Sequence, residues 1–127
     1  TDQNAVPLIV MSPARDPVEA INSTLRRAGQ PVHCTWIPAL RALADAITQI
    51  NPELLVHVAG SEDLRGVITV RDQVAPTLPV IAISDSVDEA RIAEAMQLGA
   101  RDFVSLANTA RLTAVVLREL RAFRLER

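Results

Sequence analysis

The sequence has 127 residues, 49% of them hydrophobic, with 13 basic and 15 acidic side chains and a formal charge of −2. That length fits one domain built around one core, and the charge balance excludes the basic footprint of a nucleic-acid-binding domain. Two Phe, one Trp and no Tyr leave an aliphatic core and no platform for stacking successive bases of a strand. No run approaches the ~20 apolar residues of a membrane helix.

Taken in chain order, strand-like and helix-like segments alternate. Val6–Met11 is apolar without alternation, as in a strand buried on both faces. Pro17–Ala28 carries Val18, Ile21, Leu25 and Ala28 at helical spacing, and Gly29 stops it. Val32–Trp36 alternates Val32, Cys34 and Trp36 against His33 and Thr35, which predicts a half-covered edge strand. Pro38 suits a helix's first turn; the stripe Leu40, Leu43, Ala44 and Ile47 follows, closed by Asn51-Pro52.

Glu53–Ala59 is a second fully apolar strand, and Ser61–Val74 a helix weakened by Gly66 and β-branched residues. Pro76 and Pro79 bracket the turn into the strand Val80–Ser84. Ser86 with Glu89 predicts a capping box for a helix through Ala90, Ile92, Ala93, Met96 and Leu98, ended by Gly99. Arg101–Ser105 is a short strand, and Asn108 or Thr109 caps a last helix, over about 109–127, bearing Leu112, Val116, Leu120 and Phe123 on one face. The pattern is (βα)5, too few units for a closed barrel. It predicts an α/β, flavodoxin-like, doubly wound parallel sheet in the order 2-1-3-4-5, with its chemistry beyond the carboxyl ends of the strands.

In this setting "NPELLVHV", "LPVIAISD" and above all "LGARDF" resemble the third strand, fourth strand and Gly-Ala turn of response-regulator receiver domains. The resemblance covers essentially the whole chain. It implies five groups: two acidic residues after the first strand and an aspartate ending the third that hold Mg²⁺, a lysine after the fifth strand that neutralises the phosphoryl charge, and a Ser or Thr after the fourth strand with an aromatic on the fifth.

Carried over position by position, the acidic pair falls on Met11 and Ser12, or on Ser12 and Pro13 one register later. The acceptor falls on Val58, the lysine on Leu106 and the proline after it on Ala107. Ser84 keeps the hydroxyl, and Phe103 keeps the aromatic without a phenol oxygen. Valine accepts no phosphoryl group and a Met–Ser pair is a poor Mg²⁺ site, so a degenerate pseudo-receiver is expected, non-catalytic, with no Mg²⁺ or other cofactor.

The remaining candidates weigh less. A one-residue shift places His57 at the pocket, but strand alternation sends His57 and Val58 to opposite faces. Asp16, Glu62, Asp63 and Asp85 read as helix caps, with Ser84, Asp85 and Ser86 the best residual polar cluster. Cys34 has no activating neighbour in sequence. The one cysteine and the lack of a signal-peptide pattern place the domain in the cytoplasm, with no membrane or nucleic-acid partner.

The last helix runs to the end of the sequence without a stop signal, predicting continuation into a coiled-coil linker. Val116, Leu120 and Phe123 are its candidate dimer or linker face. This ending resembles the receiver-like N-terminal domains of multidomain cyclic-di-GMP signalling proteins with downstream PAS, GGDEF or EAL domains. It implies a regulatory homodimer serving a downstream output domain. Two alternatives stand beside that reading: a small-ligand sensor using the pocket around Ser12, Ser84 and Asp85, and an atypical phosphoryl-accepting receiver.

Overall fold

The alternation of apolar strands and amphipathic helices gives the expected parallel sheet. The computed structural model describes residues 5–60 and 63–126; Ser61, Glu62 and Arg127, which figure in the sequence pattern, lie outside the described residues. The elements are β1 (Val6–Met11), α1 (Asp16–Arg27), β2 (Val32–Ile37), a 3-10 turn (Leu40–Ala42), α2 (Leu43–Ile50), β3 (Leu54–Val58), α3 (Leu64–Val74), β4 (Val80–Ser84), α4 (Glu89–Leu98), β5 (Asp102–Ser105) and α5 (Thr109–Glu126). The five strands run parallel in the order β2-β1-β3-β4-β5.

Side-chain alternation along each strand divides the core in two. On one face Val6, Leu8, Val10, Val56, Val58, Ile81, Ile83 and Val104 pack with Val18, Ile21 and Leu25 of α1 and with Leu112, Val116 and Leu120 of α5. On the other, Ile9, Met11, Leu55 and Val80 meet Leu43 and Ile47 of α2 and Val67 and Ile68 of α3. Ala82 and Phe103 meet Ala95 of α4 in a smaller third cluster. Each fully buried Leu, Ile or Val contributes about 1.5–3 kcal/mol of transfer free energy, which the ordering of the chain largely offsets.

The starts of α3 and α4 differ from the sequence reading, each for a local reason, while the Asn108 cap of α5 and the Gly99 end of α4 match it. The α4 cap is Asp88 rather than Ser86: its Oδ1 accepts from the Arg91 N–H at 2.8 Å, while the Ser86 carbonyl is taken by the Arg91 guanidinium at 2.9 Å. A carboxylate nearer the first turn also complements the helix dipole. α3 begins at Leu64, capped by Asp63 through the Arg65 N–H. Asn108 caps α5 by accepting from the Arg111 N–H at 3.0 Å. Gly99 holds φ 122°, and a Cβ there would also press on Ile68 and Arg71 at 3.2–3.3 Å, so the turn from α4 into β5 requires glycine.

Candidate functional site

The carboxyl ends of β1, β3, β4 and β5 bring Ser12, Val58, Ser84 and Leu106 to one end of the sheet. Parallel pairing sets Met11 opposite His57, so Ser12, the next residue, is level with Val58. Both registers of the sequence reading contain Ser12. Met11 itself does not belong to this end's chemistry: its side chain is buried in the α2–α3 cluster, on the face opposite Val58. His57 likewise points away from Val58, as alternation requires, and lines a cleft under α4.

Apolar packing occupies the place where charged groups would be needed. Val58 is 9% exposed and belongs to the α1–α5 cluster, against which Leu106 and Trp36 also pack. Ser12 is buried, and its hydroxyl donates to the Ala14 carbonyl at 2.7 Å. The Trp36 indole N–H donates to the Ser12 carbonyl at 2.9 Å, and the Arg15 guanidinium sits 5.8 Å from the Trp36 ring centroid. Pro13 lies against Gly60 so closely that a Cβ on Gly60 would come within 2.5 Å of Pro13 Cγ. The Pro13 ring of the β1–α1 loop is therefore packed directly on the backbone at Gly60.

A Mg²⁺ ion needs several hard oxygen donors. Ser12 offers a hydroxyl already engaged with a carbonyl, and Val58 and Leu106 offer none. Among the described residues no group of three or more His, Cys, Asp or Glu side chains is poised to hold a metal. The donors present do not fit the ion that the receiver pattern implies.

Other sequence candidates are accounted for by local structure. Ser84 is half-buried at the end of β4 and its carbonyl accepts from the Leu106 N–H at 3.1 Å. The carbonyl of the exposed Asp85 accepts from the Ser105 hydroxyl at 3.1 Å. Asp16 stands in the first turn of α1, and Asp63 is the α3 cap. Burial pushes the Cys34 thiol up to about 11, against a smaller opposing effect of Arg26, so the thiolate of a nucleophile is disfavoured.

Sequence reasoning missed an ion-pair ladder along β5 and α5. Asp102 accepts from its own neighbour's N–H (Phe103, 2.8 Å), from Arg111 at 2.7 Å and from Arg118 at 3.2 Å. Arg118 and Arg101 each donate to Glu119 at 2.8 Å. Burial pushes the Asp102 carboxyl upward, but the Phe103 N–H and the guanidinium groups of Arg111 and Arg118 outweigh it and hold the pKa below the ordinary range. The signal was the spacing of Arg111, Arg118 and Glu119 on a helix that had to cover Asp102 of the last strand.

The last helix presents its apolar face inward. Val116 and Leu120 are 0% and 3% exposed and lie in the α1–α5 core, while Phe123 is half-buried. Of the stripe expected to offer a partner surface, Val116 and Leu120 are thus taken up by the core. Among the described residues, the exposed large apolar side chains are Val74, Met96 at 51% and Leu125 at 81%.

Five parallel strands in the order 2-1-3-4-5, covered by five helices, define a flavodoxin-like receiver fold. Comparison with solved structures agrees. The chain is similar to the beryllofluoride-activated NtrC4 receiver domain dimer, with 16% identity over 92% of this chain and 98% of that one and a TM-score of 0.77. It is also similar to a response regulator from Desulfuromonas acetoxidans, at 21% identity over 92% and 98% with a TM-score of 0.72. A CheY-like protein, TadZ, from Pseudomonas aeruginosa matches at 22% identity over 90% and 92%, with a TM-score of 0.69. No model of a known protein family and no curated protein matches the sequence.

Proposed function

We propose that the chain is a pseudo-receiver: a regulatory module of a signalling protein that acts through protein contacts and accepts no phosphoryl group. One observation carries the reading. At the end of β3 the acceptor position is Val58, packed into the same apolar cluster as Leu106, so acceptor and neutralising cation are replaced together. Phosphoryl transfer depends on electrostatic stabilisation of developing charge, and an aliphatic cluster supplies none. The engagement of Ser12 with Ala14 and Trp36 supports the same reading rather than a ligand pocket at this end.

The module serves a downstream output domain in cyclic-di-GMP signalling and pairs with a second copy through the solvent side of α4 and α5, where Met96 and Leu125 are exposed. The dimer named for the NtrC4 receiver domain supports self-association as something this fold allows.

An NMR titration with Mg²⁺ followed by beryllofluoride tests the proposal. The amides of Ser12, Val58, Ser84 and Leu106 should keep their positions throughout. Saturable shifts at those amides would reverse it.

A further inference from the structure

The pairing register aligns Met11, His57, Ala82 and Phe103 in one row across the face that α2, α3 and α4 cover. Along this face α2 and α3 meet the sheet with Leu43, Ile47, Val67 and Ile68. Under α4 the pairing is methyl against methyl, Ala82 on β4 facing Ala95. Protein interiors are close-packed, and two alanines do not fill a layer spaced for leucines. A cleft of about 290 Å³ remains, with Leu64, Leu98 and Phe103 among its walls and His57 beside Ala82. Ala95 is the one buried residue of α4, so the helix over the cleft is lightly anchored.

Polar groups of both signs line it, with Arg91 and Glu94 side by side on one turn of α4. Asp63, the α3 cap, lines the cleft as well. The Arg91 guanidinium lies over the Phe103 ring, 5.0 Å from its centroid, and its Nη1 is held by the Ser86 carbonyl, which leaves Nε and Nη2 to face a ligand. Arginine donates in a fork to a pair of ring acceptors, as it does to the O6 and N7 edge of guanine, and a carboxylate accepts from N–H and amino donors.

We infer that the cleft between α3 and α4 binds a planar heterocycle of nucleobase size, with acceptors on one edge and donors on the other, of which guanine is the closest fit. The ring rests on Ala82 and Ala95 beside Phe103, its acceptor edge toward Arg91 and its donor edge toward Glu94. A volume at the lower limit for small-ligand sites suits one base, with any sugar outside. His57, Ala82 and Phe103 of its floor alternate with Val58 to the other face of the sheet, and base binding there can be tested whatever the outcome of the phosphorylation reading.

The test is a ¹⁵N–¹H NMR titration of the whole chain with guanosine, adenosine and cytidine. Guanosine should shift the His57, Ala82 and Ala95 amides saturably and more tightly than the other two. Ala95→Leu, which fills the cleft, should weaken guanosine at least about tenfold, equivalent to 1.4 kcal/mol, while keeping the spectrum of a folded chain. Glu94 is exposed, so Glu94→Gln tests the donor edge without disturbing the core, and it should weaken guanosine while leaving cytidine unchanged. No shift at these amides, shifts confined to another surface, equal affinity for all three nucleosides, or full affinity in Glu94→Gln would each overturn the assignment.

Discussion

Val58 and Asp102 show how one sheet treats its two ends. Val58 is held in a cluster of apolar side chains. Val58→Asp should therefore lower stability by about 2–4 kcal/mol through an unpaired, partly buried carboxyl, read from urea unfolding. It should not restore phosphoryl acceptance, because Pro13 and Leu106 still stand where a second carboxylate and a cation are needed. Asp102 is the opposite case, a carboxylate satisfied by one N–H and two guanidinium groups. Its folded-state pKa is lowered, so its contribution is whole above the unfolded value of about 3.9 and is lost as pH falls through the folded value. Asp102→Asn should cost on the order of 1–3 kcal/mol at neutral pH and flatten the acid limb of the stability–pH curve. An acid limb unchanged in the variant would show that other carboxylates set it.

Among the elements, α5 separates packing from recognition. Leu120 belongs to the core and Leu125 is 81% exposed one turn further on. Leu120→Asp should unfold or strongly destabilise the chain, by more than the about 2–5 kcal/mol typical of Leu→Ala in a core. Leu125→Asp should leave the melting temperature unchanged within a degree or so, as exposed substitutions do. Combined with Met96→Asp, it should convert a dimer to a monomer in light scattering; a dimer that survives both substitutions would move the interface elsewhere. The inward face of α5 follows from its period, since Leu112, Val116 and Leu120 recur every fourth residue toward the sheet. Sequence periodicity identifies that stripe but does not say whether sheet or partner covers it; only the folded layer, in which α5 packs beside α1 and along β5, decides.

For the molecule as a whole, the strand order and both core layers were readable because unalternated runs such as Leu54–Val58 demand cover on two faces. The positions of Val58 and Leu106 were readable too: the counts from Pro52 and Gly99-Ala100 put them at the end of β3 and just after β5, where they lie. Other features depended on side chains distant in sequence. Met11 turned to the α2–α3 face because the parallel register pairs it with His57. The Pro13–Gly60 closure, the Asp102 ladder and the cleft over Ala82 arise between elements that no local window joins. The pseudo-receiver proposed above carries no working phosphoryl site. The most direct test is intact-protein mass spectrometry after incubation with acetyl phosphate and Mg²⁺. We expect the mass to be unchanged at every time point; a stoichiometric gain of one phosphoryl group, mapped to the β3–α3 end, would contradict the account.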